Sequence, residues 1–275
     1  MLHVFRNSKI AKVLVGTSLV LFLATSCDRE NVDAQPEIPP SSSFEMDYSE
    51  FPGNGNVAGR VETQFNFGVS ALTVGTWQVF TALTMVLPVT AFKAALNQEP
   101  TYDEDMEAWH WTFTVGDTAS SGAQYTCDLY GSVDTETDQV AWEMYLTSAG
   151  VFENFLWYTG LSDMDRSGGS WTVYRDPEGN SRAFLGITWE RDTVAGTATL
   201  RYENIDATSS GEGGFIEAGR RDGETYDRYF TISNADNGNL TEIEWNATVK
   251  EGRYRVNNGN WNCWDASLED IQCTN

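Results

Sequence analysis

From Ala108 onward the chain alternates apolar and polar positions. AWHWTFTV places Trp109, Trp111, Phe113 and Val115 on one face, with His110, Thr112 and Thr114 on the other. QVAWEMYL repeats this, Val140, Trp142, Met144 and Leu146 opposing Glu143 and Tyr145, and TATLRYE sets Ala198, Leu200 and Tyr202 against Thr199, Arg201 and Glu203. In LTEIEWNATVKEGRYRV, Ile243, Trp245, Ala247 and Val249 face away from Glu242, Glu244, Asn246 and Thr248. A period of two is the side-chain period of a strand, so each segment is expected to bury one side only. Glu251-Gly252 then predicts a two-residue hairpin turn, because glycine accepts the positive φ such turns require.

Further runs at 123–132, 154–159, 170–175, 182–190, 212–219 and 225–233 bring the total to about ten strands. Turn clusters such as DRSGG, DPEGN and DNGN separate them. With no helical period in between, the pattern predicts an antiparallel meander, whose apolar face needs a cover.

One stretch breaks the alternation. TQFNFGVSALTVGTWQVFTALTMVLPVTAF lies between Glu62 and Lys93 without a single charge. Residues 68–97 read as one long helix, with Leu72, Val79, Leu83, Val86 and Leu87 apolar but also Trp77, Phe80, Met85 and Phe92 on other sides. At 1.5 Å per residue it would measure about 40 Å. A helix apolar all round is buried in a core or in lipid. Three arrangements satisfy that: a sheet wrapped on the helix, a transmembrane helix, or a β-sandwich with a peripheral helix. Interspersed Ser70, Thr73, Thr76, Gln78, Thr81, Thr84 and Thr90 weaken insertion into a bilayer, and the meander needs a cover. The expected fold class is therefore mainly β (α+β). It is an antiparallel meander of about ten strands curled into a barrel or half-barrel around one long buried hydrophobic helix, kinked at Pro88, in a single domain spanning 57–275.

The first residues read MLHVFRNSKIAKVLVGTSLVLFLATSC. Arg6, Lys9 and Lys12 precede an apolar run from Val13 to Ala24, and small residues lead to Cys27, which is the layout of a targeting segment. The ending LATSC resembles the lipobox of bacterial lipoproteins, with Ala24 where that pattern prefers Leu and Leu23 one place further away. The resemblance implies removal of residues 1–26, lipidation of Cys27, and attachment to the outer membrane of the cell envelope through the N-terminal lipid. An ordinary secretory signal or an uncleaved anchor are the plainer alternatives. Residues 27–56 follow as an acidic, Pro- and Ser-containing tether. Its start, Asp28, Arg29 and Glu30, is similar to the charged signals of surface-exposed lipoproteins of Bacteroidota.

Charge and cysteine narrow the picture. A net charge of −23 over 275 residues excludes nucleic acid as a partner and disfavours anionic headgroups. A 41 % hydrophobic content is enough for a core. In an oxidising envelope Cys263 and Cys273 are close enough in sequence to form a disulfide; two free thiols are the alternative. Cys127 falls on the apolar face of AQYTCDL and reads as a small buried hydrophobe.

No catalytic set stands out, and no metal site or cofactor is expected. His110 lies on a polar strand face, and no His or Cys spacing fits zinc. Nucleophile-elbow, phosphate-loop and dinucleotide patterns are absent. Asp163, Asp165, Ser167 and Gly168 begin like a calcium loop, but Tyr174 stands where a bidentate Glu is required, so a hairpin turn is expected. The acids at 103, 104, 105 and 107 read as a solvated approach to a strand, and nothing selects a carboxylate pair for hydrolysis. Trp109, Trp111, Trp142, Trp189 and Trp245 belong to the core or line a cavity for an apolar small molecule. Trp157, Trp261 and Trp264 at a rim would stack on sugars. The expected function is a non-enzymatic, lipid-anchored envelope protein with a binding or scaffolding role, carrying an apolar ligand between sheet and helix. The alternative is a filled core whose surface binds a glycan or an envelope protein.

Overall fold

The computed structural model describes residues 34–53, 62–116, 124–177, 179 and 181–274. The signal segment, Cys27 and the ends of the expected tether lie outside the described residues. Two helices come first, α1 (Phe65–Thr84) and α2 (Val86–Ala95). Fourteen strands follow: β1 (Thr101–Asp103), β2 (Ala108–Gly116), β3 (Gln124–Asp134), β4 (Gln139–Ser148), β5 (Phe152–Asp163), β6 (Gly168–Arg175) and β7 (Arg182–Asp192) form the first half. The second half is β8 (Thr197–Asn204), β9 (Phe215–Arg221), β10 (Arg228–Asn234), β11 (Asn239–Trp245), β12 (Gly252–Val256), β13 (Asn262–Trp264) and β14 (Asp270–Ile271).

Every strand pairs antiparallel with its sequence neighbours, in the order β1 to β14. The sheet is mainly-β meander as expected, but it is open: β1 and β14 are edges and do not meet, so the expected barrel of about ten strands is corrected to an open sheet of fourteen. Both edge strands are two or three residues long, which leaves few unpaired backbone groups for another chain to join.

A repeat underlies the meander. An Asp or Asn stands at the end of each odd strand from β1 to β11, at 103, 134, 163, 192, 222 and 246, the first five spaced 29 to 31 residues apart. Asp103, Asp134, Asp192 and Asn246 each accept two backbone N–H bonds from the turn that follows, through Oδ1. Such a side chain mimics a turn's own backbone bond and holds the hairpin. Eight residues later each even strand places a large side chain in the core: Trp111, Trp142, Trp171, Leu200, Phe230 and Tyr254. Trp142 lies across from Gly131, and Trp171 across from Gly160. A Cβ on Gly131 would come 2.8 Å from Trp142 Cζ3. Glycine there lets the ring lie on the neighbouring backbone.

The last large hairpin differs from expectation. β11 ends at Trp245, the turn spans 246–251, and Lys250 carries its positive φ of 68°. Ala247 and Val249 therefore leave the strand early, because Asn246 caps the turn. Gly252 lies inside β12, beneath Trp264.

The charge-free stretch is two helices, bent by 64° at Met85. Pro88 is the third residue of α2, where the first-turn N–H groups need no helical partner. Its ring would clash with the carbonyl four residues back, so the helix breaks at Met85 instead of kinking at Pro88. Among the described residues no single helix is long and apolar enough to cross a membrane; the two pass that test only together, across the bend. Phe67, Val74, Ala91 and Phe92 bury the helices against the sheet.

The segment expected as a tether is part of the fold over its described residues. Ile38, Phe44, Met46, Tyr48 and Phe51 are buried in the main core. The segment makes no strand; side chains of the sheet hold its backbone instead. Tyr202 Oη donates to Phe44 O at 2.8 Å and accepts from Met46 N at 3.0 Å. Trp245 Nε1 donates to Glu50 O at 3.0 Å, and Arg228 grips the Glu50 carboxylate with two bonds. We call residues 34–53 the strap.

Candidate functional site

His110 and Cys127, which the sequence reads as a strand-face residue and a small buried hydrophobe, are not brought together. His110 lies on the outer, uncovered face, stacked on Tyr130 at 4.4 Å, with Nε2 2.8 Å from Asp128 Oδ1. Cys127 is fully buried on the inner face, so the sheet stands between the two. Burial, with the Asp128 charge beside it, pushes the Cys127 thiol up to about 12, which removes the thiolate a nucleophile needs. Tyr158 is wholly buried, its hydroxyl unpartnered among the described residues, and burial raises its pKa well above 10. Among the described residues no group of His, Cys, Asp and Glu could hold a metal ion. Asp163 and Asp165 bond Ser167 within the β5–β6 turn, and Asp103 caps β1–β2.

Cys263 and Cys273 lie at disulfide distance, with Cα atoms 5.3 Å apart. Their loop is where α1 docks: Asn66 Nδ2 donates to Cys263 O at 2.9 Å and Asn66 N to Asp270 Oδ1 at 2.9 Å. The bridge thus fixes the receptor for the helix start.

The space between α2 and the sheet is filled where the strap crosses it. Phe44 stacks on Phe92 at 4.9 Å, with Tyr158 at 4.9 Å and Trp171 at 5.6 Å around it. Further along, Phe51 meets Phe67 at 5.7 Å and Trp245 at 5.1 Å. Trp111, Trp142, Trp189 and Trp245 are core residues, and Trp109 is half-buried. Of the three expected at a rim, Trp157 and Trp264 are buried. Trp261 is half-buried on the outer face, with Arg253 and Arg255 at 4.1 and 4.4 Å from its ring.

What remains open is the far side of the helices. Phe65, Leu72, Val79 and Leu83 are 65, 65, 59 and 78 % exposed, and Val86 opens α2 at 49 %. At about 100° per residue the first four and Thr76 fall within a stripe about 60° wide. The expectation of a helix buried all round is therefore corrected: α1 has two apolar sides, and only that of Phe67, Ala71 and Val74 meets the sheet. Threonines temper the helix by turning inward, Thr73, Thr76 and Thr84 Oγ1 each donating to the carbonyl four residues back. Beside this stripe runs a groove of about 530 Å³, with Leu72, Trp77 and Phe80 on the helix side and Ile232, Asn234 and Asn237 on the sheet side. Trp77 and Phe80 meet edge to face at 5.6 Å.

Comparison of the chain with known protein families, with curated proteins and with solved structures finds no match.

The strap and the exposed stripe are the two features the sequence did not announce. A signal existed for the first: Phe44, Met46 and Tyr48 alternate inside a stretch whose Pro and Ser content reads as linker. The heptad spacing of Phe65, Leu72, Val79 and Val86 was the signal for the second.

Proposed function

We propose that this protein is a non-enzymatic, lipid-anchored envelope protein with a binding or scaffolding role, and that its contact surface is the charge-free face of α1 and the start of α2. The observation that carries the reading is the exposed row Phe65, Leu72, Val79 and Leu83 on a helix without a charge, in a chain of net charge −23. Exposed large apolar residues in one contiguous row mark an interaction surface, whereas scattered ones do not. The strap supports this reading over a ligand carried between sheet and helix, because Phe44 already occupies that position against Phe92 and Trp171. The separation of His110 from Cys127 by the sheet supports a non-enzymatic role.

The test joins anchor and surface. Cells producing the wild type, Cys27→Ala, or Leu72→Glu with Leu83→Glu are labelled with a fatty-acid analogue and fractionated, and a photoreactive side chain at Val79 or at Thr231 on the outer face reports contacts. Label on the wild type, none on Cys27→Ala, and cross-links from position 79 that vanish with the two glutamates are expected. Equal cross-linking from 79 and 231 would refute the assigned surface, and label persisting in Cys27→Ala would refute the anchor.

A further inference from the structure

The exposed stripe needs an occupant, and we infer that it is the surface of an uncharged, zwitterionic lipid bilayer, in which α1 lies flat beside the lipid anchor. This rests on the anchored reading above and names the partner of the same face.

Three observations converge on lipid. First, the strap begins close to the anchor: Ala34 is seven residues after Cys27, and seven extended residues reach at most about 25 Å. That is on the order of the radius of a domain this size, so the body is held close to the membrane that carries the acyl chains.

Second, the strap and α1 lie on the same side of the sheet. Phe51 packs on Phe67, and Lys93 at the end of α2 pairs with Glu45 of the strap at 2.5 Å. The layer that holds the later part of the strap is thus the layer that carries the stripe, while the strap's start is held by Glu37 on Arg166 of the β5–β6 turn.

Third, charge selects this face against the others. Between Glu62 and Lys93 there is no ionisable side chain, whereas the odd-to-even turns carry Asp103, Glu104, Asp105, Asp134, Glu136 and Asp192. Entering the headgroup region costs least where no charge is desolvated. A second copy of the chain would cover the same stripe, but two bodies of −23 repel each other. The same acidity turns the molecule away from anionic lipid. The groove beside the stripe sets Trp77 and Phe80 against Asn234, Asn237 and Thr241, with the acid Asp236 at its sheet-side rim, so the aromatic helix side is the part suited to the interfacial zone of a bilayer.

The experiment uses the full, lipidated chain in phosphatidylcholine vesicles containing spin-labelled lipid. Cys127 is buried and Cys263 is paired with Cys273, so a fluorophore placed through Leu83→Cys or Thr231→Cys attaches at one site. Quenching at position 83 at least about fivefold stronger than at 231 is expected, falling at least tenfold in vesicle affinity when Leu72→Glu and Val79→Glu are added to the unlipidated Cys27→Ala chain. Replacing half of the lipid by phosphatidylglycerol at low salt should weaken quenching several-fold.

Weak quenching at both positions on vesicles that retain the protein would overturn the inference. Energy transfer between labelled copies that grows with protein density, without lipid quenching, would also overturn it in favour of a dimer. If the wild type washes off vesicles while position 83 of Cys27→Ala is still quenched by excess phosphatidylcholine, the anchor fails and the lipid-facing stripe stands.

Discussion

Gly160→Ala tests whether the tryptophans of the repeat are seated on bare backbone. Gly160 pairs with Trp171 across β5 and β6 and has no left-handed backbone that would demand glycine. A Cβ there would stand 2.5 Å from Trp171 Cζ3, nearer still to Cε3, and 2.9 Å from Ser170 O. Carbon atoms in ordinary contact keep about 3.5–4.0 Å, so the ring must move by more than about 1 Å. Its neighbours forbid this, with Phe92 at 5.3 Å, Phe44 at 5.6 Å and Tyr158 at 5.8 Å from its centroid. Overpacking a filled core costs about 1–3 kcal/mol, and a hemmed ring belongs at the upper end, about 3 kcal/mol. With a urea slope of about 3 kcal/mol per molar for a chain of this size, the unfolding midpoint should fall by about 1 M. In a Trp171→Leu background the same substitution should cost less than about 1 kcal/mol, leaving a coupling of about 2 kcal/mol. Gly75→Ala, which meets nothing within 4 Å in mid-helix, should instead stabilise by about 1 kcal/mol. An unchanged midpoint for Gly160→Ala, or an equal loss with and without the Trp171 indole, would refute the seating.

Three further outcomes follow from the same contacts. Tyr202→Phe removes the hydroxyl that serves both Phe44 O and Met46 N; two buried backbone groups lose their partner, and urea unfolding should show a loss of about 2 kcal/mol, with no loss contradicting the role of Tyr202 in holding the strap. Opening the 263–273 bridge by Cys263→Ser with Cys273→Ser should cost about 3 kcal/mol from loop entropy and speed amide exchange at Asn66 to Ser70; exchange unchanged there would detach the bridge from α1. Burial pushes Tyr48, bonded to Thr81, and Cys127 each up to about 12. The folded chain then keeps two protons that the unfolded chain releases above pH 9–10, so stability is full below that range and falls between it and pH 12, by up to about 1.4 kcal/mol per pH unit per group. A flat stability profile from pH 9 to 11.5 would contradict the burial of both.

Much of the sheet was legible because alternation is a direct print of one-sided burial. Trp111, Trp142, Leu200 and Ile243 fall inside exactly where period two puts them on β2, β4, β8 and β11. Strand number was undercounted because β1, β13 and β14 are too short to show a period. Closure is a property of twist and shear, which no single strand encodes. The strap escaped because a chain held by Tyr202 and Trp245 side chains, rather than by ladder bonds, needs no strand propensity of its own. The surface of α1 escaped because hydropathy reports that both sides are apolar and leaves unsaid which one the sheet takes.

Local and distant contacts divide the work in this fold. Hairpins such as those after Asp103, Asp134 and Asp192 close over a few residues, capped by their own Asp, and each strand adds to the edge before it, so the meander carries no internal reason to stop. The limits come from contacts far apart in sequence: Tyr202 to Phe44 spans 158 residues, Trp245 to Glu50 spans 195, and Asn66 to Cys263 spans 197. These bring the N-terminal strap and α1 onto the inner face only when the later strands exist to receive them. The strap and helix must therefore wait for the sheet, since long loops close before their contacts repay the entropy. In that interval the apolar helices have nothing to cover, and under the anchored reading proposed above the membrane would offer them a surface. The exposed row from Phe65 to Leu83 is then the side that the sheet never claims.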